Sequence, residues 1–148
     1  MPALTETSDA IELDGTAMSD AAPRFAGFVP ERAPIEAYGN GGFRFAGMSH
    51  RGSILVLSDG THAWDVSAIA DAAALDAPLL ALLDRLDAPQ FLLLGTGRKQ
   101  IFPRAETRAR FLSRAIGIEP MDTGAACRTF NVLLAEKRPV MAALVAVD

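Results

Sequence analysis

The feature that most constrains this chain lies between residues 89 and 147, where two short apolar runs each end in a glycine loop and lead into a helix. Phe91-Leu-Leu-Leu-Gly-Thr-Gly97 comes first, followed by a basic helix predicted from Pro103 to about Ile116. Ile118-Glu-Pro-Met121 and the loop Asp122-Thr-Gly124 come next, then a helix to about Glu136 and a closing strand over Val140–Val147. Phe91–Leu94 is apolar without alternation, as expected of a strand covered on both faces. Such strand–helix–strand units in one sheet cross over with a right hand. Asp122 is placed to cap its helix, and Gly117 is placed to end the basic one.

The first half reads differently. Ile35–Tyr38, Phe43–Phe45, Ser53–Leu57 and Thr61–Val66 are short strands, separated by Gly39-Asn-Gly-Gly42, by Gly47 and Gly52, and by Ser58-Asp-Gly60. They predict an antiparallel meander with one apolar face that needs a cover. Asp76-Ala-Pro78 reads as a helix start, with Pro in the first turn and Leu79, Leu80, Leu82, Leu83 and Leu86 at helical spacing.

Residues 1–22 carry Glu6, Asp9, Glu12, Asp14 and Asp20 and no Lys or Arg, which leaves 14 basic against 13 acidic residues in the rest. The net charge of −4 therefore belongs to the tail and does not describe the folded part. The expected organisation is a disordered acidic tail over 1–29 and a single α/β domain over 30–148. No basic, apolar leader opens the chain, and no apolar run approaches the length of a membrane span. The expectation is a cytoplasmic protein that reaches a membrane only through a partner. One cysteine, Cys127, excludes an intrachain disulfide, and His50 and His62 alone make no metal site. No metal and no cofactor is expected.

If the two glycine-ended strands are parallel, both loops emerge at the carboxyl edge, where open α/β sheets place ligands. Gly95, Thr96, Gly97, Asp122, Thr123 and Gly124 are thus candidate ligand residues. An anion held by the Thr96 N–H, Thr123 and Arg128 is the natural pose, although Asp122 competes for the same helix N-terminus. The loops lack the third glycine of a dinucleotide fingerprint and the Gly-Lys-Ser/Thr ending of a phosphate loop. Cys127 and Asn131 lie one helical turn apart and, with Arg128, are further candidate ligand residues. A thiol beside Arg128 near a helix start is a candidate nucleophile, and the competing reading is a small buried thiol.

Arg98, Lys99, Arg104, Arg108, Arg110 and Arg114 form the densest charge cluster. Ala105, Ala109, Leu112 and Ile116 share one side of the predicted helix, which sets Phe111 among the arginines. Arginine with an aromatic suits a protein contact, so Arg104, Arg108, Arg110, Phe111 and Arg114 are candidate partner-binding residues. Nucleic acid is not expected: the stripe is single and lacks interleaved aromatics.

Four motifs, Gly39-Asn-Gly-Gly-Phe-Arg-Phe45, Gly52-Ser-Ile-Leu-Val-Leu57, Leu94-Gly-Thr-Gly97 and Met121-Asp-Thr-Gly-Ala-Ala-Cys-Arg-Thr-Phe-Asn131, stand in this order. Together they resemble the Mth-type conserved-hypothetical domain family, whose eukaryotic members are mitochondrial assembly factors for respiratory complex I. The resemblance covers roughly residues 30–147. It implies a three-layer α/β fold with a central mixed sheet, a meander beside the crossover units and an antiparallel final strand. It also implies no established catalysis and a protein partner at a membrane complex. Two functions follow as expectations. One is a non-enzymatic accessory or assembly factor; the other is a binder or enzyme for a small anionic ligand at the glycine loops.

Overall fold

A computed structural model of the chain describes residues 11–12, 23–87 and 90–148. Ten strands are described, in two sheets. The smaller sheet runs β1 (Ile11–Glu12), β3 (Ile35–Gly39), β4 (Gly42–Phe45) and β5 (Met48–Arg51). The larger has the order β2 (Phe28–Val29), β7 (Gly60–Trp64), β6 (Ser53–Leu57), β10 (Met141–Leu144), β8 (Gln90–Gly95) and β9 (Ile116–Met121). The helices are α1 (Ala72–Leu82), α2 (Ala105–Leu112) and α3 (Thr123–Ala135).

The strand residues sort by parity, because successive side chains of a strand point to opposite faces. On one face Leu55, Leu57, Leu92, Leu94, Met141 and Ala143 meet Leu75, Leu79 and Leu82 of α1 and Phe111 of α2. On the other, Ile54, Val56, Leu93, Ala142 and Leu144 meet Phe130, Cys127 and Ala126 of α3 together with Ile35, Phe43 and Phe45 of the small sheet. The result is three layers around a mixed central sheet, as the resemblance implied. Strand β10 is parallel to β8 and antiparallel only to β6, so the implied antiparallel final strand holds for one neighbour and not the other.

Several local expectations change. The meander divides at Gly52, whose φ of 116° turns the chain out of β5 and into the other sheet. The two-residue turn Asn40-Gly41 has both φ values positive, the arrangement that matches hairpin twist. Helix α1 starts earlier than expected: Asp71 caps it, accepting from the Ala74 N–H at 3.0 Å, and Pro78 lies inside it. Interior proline costs a helix about 3 kcal/mol, and complete burial of Leu75 and Leu79 offsets that. Asp76 is no cap; it ties α1 to α2, accepting from Thr107 Oγ1 at 2.8 Å and pairing with Arg104 at 2.6 Å.

Helix α2 is shorter than expected and turned over. Phe111 is fully buried, whereas Leu112 is 64% exposed. The helix ends in a turn with Ala115 at φ 59°, and Gly117 lies within β9 instead of capping. The tail expected over 1–29 falls outside the described residues except at 11–12 and 23–29. There Ile11 and Glu12 pair with Tyr38 and Ala37, Phe25 packs edge-on against Phe45, and β2 pairs with β7. Residues 23–29 are thus part of the fold, because Phe25 is core and Phe28–Val29 complete a sheet edge.

Candidate functional site

The two glycine loops do meet at the carboxyl edge of parallel strands, and there they bind each other. Gly95 lets β8 end against α3: a Cβ on it would lie 3.1 Å from the Thr123 Cα. The Thr123 N–H donates to the Gly97 carbonyl at 2.8 Å. The Thr123 hydroxyl accepts from the Gly97 N–H at 2.9 Å and donates to the Val145 carbonyl at 2.7 Å. The Thr96 N–H donates to the Met121 carbonyl at 2.8 Å, and the Thr96 hydroxyl accepts from the Ile101 N–H at 3.0 Å. Asp122 caps α3 by accepting from the Ala125 N–H at 2.9 Å. The expected anion pose is therefore overturned: the Thr96 and Thr123 amides and the Thr123 hydroxyl are already bonded within the fold.

The rest of the expected α3 site is likewise structural. Gly124 admits the Tyr38 ring, whose hydroxyl oxygen would lie 2.3 Å from an added Cβ. Asn131 clamps β3 with both ends of its amide, accepting from the Ile35 N–H at 2.8 Å and donating to the Ile35 carbonyl at 2.9 Å. Cys127 is fully buried, and burial pushes its thiol far above the usual range. Arg128 pulls the other way and Asp122 adds to the rise, but desolvation outweighs both. A thiol held protonated in this way is not an activated nucleophile. Arg128 itself is exposed.

What lies open at the same edge is a cleft of about 1020 Å³. One wall is the segment after β7, from Trp64 to Ala70. Another is the loop after β8, with Gly97, Arg98, Lys99 and Ile101. Ala146 to Asp148 follow β10 between them, and His50 to Gly52 close a side. Ser53 is the staple: its hydroxyl donates to the Val66 carbonyl at 2.6 Å and accepts from the Ala146 N–H at 2.9 Å. His50 packs edge-on to Phe25, and burial lowers its pKa against the opposing effect of a backbone bond at Ser53.

Of the expected ligand residues, Thr96 and Gly97 line the cleft; Gly95, Asp122, Thr123, Gly124, Cys127, Arg128 and Asn131 do not. His50 and the 65–70 segment carried no ligand signal, since pairing across sheets is not written in local sequence, and Trp64, expected in the core, is there and borders the cleft from it. Of the expected partner residues, Phe111 is buried, which removes the aromatic from the patch. Arg104 pairs with Asp76, and Arg114 lies 3.4 Å from Asp84 and donates to the Leu83 carbonyl at 3.2 Å. Arg108 and Arg110 remain exposed. Among the described residues no group of three or more His, Cys, Asp or Glu is placed to hold a metal ion. Among the same residues no helix is long and apolar enough to cross a membrane.

This architecture is shared with known proteins. An uncharacterized protein of Rhodobacter capsulatus is 37% identical over 83% of this chain and 91% of its own length. A Danio rerio protein named NADH dehydrogenase [ubiquinone] 1 alpha subcomplex assembly factor 3 is 35% identical over 75% of this chain. The match spans 63% of that relative, under two thirds of its length, and a Mus musculus protein of the same name matches over 62% of its own. A solved structure described as an outer membrane protein from Bartonella henselae superposes with a TM-score of 0.69 at 46% identity, covering 80% of this chain and 98% of that one. A Bordetella pertussis protein described as a Mth938-like domain gives 0.59 at 29% identity, over 92% of both chains. The family model of proteins of unknown function DUF498/DUF598 matches residues 35–145, and the chain belongs to that family.

Proposed function

We propose that this chain is a non-catalytic assembly or accessory factor that holds a protein partner while a membrane complex is built. The observation that carries the reading is the name borne by the Danio rerio and Mus musculus relatives, whose matched stretches cover most of this chain. A thiol that burial keeps protonated, beneath a helix start whose amides are bonded internally, fits a scaffold better than a nucleophile. The protein works from the cytoplasm and meets the membrane through its partner.

The contact surface is the outer side of α2, in revised form. Arg108 and Arg110 supply charge, and the apolar anchors are Leu112 on the helix, 64% exposed, and Phe102 in the segment before it, 57% exposed, in place of Phe111. Interfaces favour arginine beside aromatic and apolar groups. The test is a tagged pull-down from detergent-solubilised membranes of the source cell, against a control with Arg108→Glu and Arg110→Glu. Recovery of membrane-complex subunits by the native chain and their loss in the control is the expected result, with stability changed by less than about 0.5 kcal/mol. Equal recovery by both chains would remove α2 as the surface, and recovery of no such subunit would remove the assembly reading.

A further inference from the structure

The cleft at the carboxyl edge is independent of the α2 surface and of the assembly reading. Its size, about 1020 Å³, lies at the upper end of pockets that take small organic ligands. Its lining divides by chemistry. Arg98 and Lys99 stand together on the loop after β8, while the half-buried Val66, Ile69 and Ile101 offer apolar surface beside Trp64, which is itself only 8% exposed. Both walls are fixed rather than loose. The Ile101 N–H donates to the Thr96 hydroxyl, which itself lies within bonding distance of the Lys99 and Met121 carbonyls, so the Arg98-Lys99 loop is tied at its base. The Ser53 bond to the Val66 carbonyl fixes the opposite segment. At Gly97 the backbone has φ 107° and nothing within 4 Å of where a Cβ would stand, which leaves open space above the loop.

We propose that this cleft binds a small organic monoanion with an apolar body, its anionic group on Arg98 and Lys99 and its body against Trp64, Ile69 and Ile101. The cations supply the charge-assisted contacts that anions favour, and the apolar wall supplies burial. Arg51, Asp65 and Asp148 also line the cleft, and in this proposal the two carboxylates restrict what the cations admit. A polyanion such as a nucleic acid strand would be brought against both carboxylates, a repulsion that a single anionic group on the loop avoids. A neutral apolar molecule would leave the cations without a partner.

Trp64 is the single tryptophan of the chain and borders the cleft from the core, so its fluorescence senses a change at the apolar end of the cleft. The experiment titrates the full chain with octanoate, with 1-octanol as the uncharged control and inorganic phosphate as the control without an apolar body. Saturable change in Trp64 emission with octanoate at millimolar concentration or below is expected, with octanol and phosphate at least about tenfold weaker. Arg98→Glu with Lys99→Glu weakens octanoate by a similar factor and leaves the melting temperature of the free protein unchanged. A second readout, amide NMR shifts centred on Gly97 to Lys99, places the anionic end. Absence of saturable octanoate binding, equal binding of octanol, or octanoate binding unaffected by the charge reversal would each overturn the proposal.

Discussion

The α3 start and the loop after β8 carry nearly the same letters, Thr-Gly and Gly-Thr-Gly, and serve opposite ends. At α3, Thr123, Gly124 and Asn131 face inward and fasten two strands: the end of β10, and β3 of the small sheet at both Tyr38 and Ile35. After β8 only Thr96 and the Gly97 N–H turn inward, and Arg98 and Lys99 stand exposed at the cleft. Small polar residues at a sheet edge can serve either as ligand contacts or as the fastenings that shape the edge. The partners of their hydrogen bonds decide between the two.

Breaking a fastening should cost much more than altering the open side. The largest loss is expected for Thr123→Val, which keeps the shape and removes the hydroxyl. It leaves the buried Gly97 N–H and Val145 carbonyl without this partner, for about 2–6 kcal/mol in urea unfolding at 1–3 kcal/mol per group. A loss under about 1 kcal/mol would mean that water reaches these groups, and that the loop is not sealed. Gly124→Ala comes next. Its Cβ would collide with the Tyr38 hydroxyl, and overpacking of that kind costs about 1–3 kcal/mol. Tyr38→Phe in the same chain should restore part of the loss, and the coupling is read from a double-mutant cycle. Asn131→Leu should cost about 1–2 kcal/mol: Ile35 is buried, but Asn131 stands at a half-buried position, where water can take up some of the lost bonding.

The smallest effect sharpens the open side. His50 is held neutral by burial, so its folded pKa lies below the ordinary 6.5. As pH falls below 6.5 the unfolded chain takes up this proton first. It then binds more protons than the folded state, and stability drops as pH falls through the lower folded value. Above pH 6.5 the contribution is fully present. His50→Gln should flatten that part of a stability–pH profile, and identical slopes in both proteins would contradict the assignment.

Much of this fold was legible. Apolar runs without alternation announced a sheet covered on both faces, and glycine loops after them announced the crossovers and the edge where they meet. The helix at 105–112 shows what was not. An expected helix reaching Ile116 averaged Leu112 and Ile116 into an apolar side, whereas the real helix stops at Leu112 and buries only Thr107 and Phe111. With the end misplaced, the face was inverted, and a core aromatic was read as an interface residue. The start of α1 was missed for a related reason: Pro78 is a strong local signal for a first turn, and tertiary burial of Leu75 and Leu79 overrode it. At the site, the chemistry of Thr96, Thr123 and Asn131 could be read from the chain, but their partners could not. Val145 and Ile35 stand 22 and 96 residues away from the side chains that bind them.

The paired glycine loops form a closed fastening beside an open cleft. Native-state amide hydrogen exchange on the full chain tests it most directly. The amides of Thr96, Gly97 and Thr123 should exchange only through large-scale unfolding, with protection close to that of Leu93 and Ala142 in the central sheet. Exchange of those three amides on the timescale of exposed loops would contradict it, and would return the glycine loops to the list of groups free to hold a ligand.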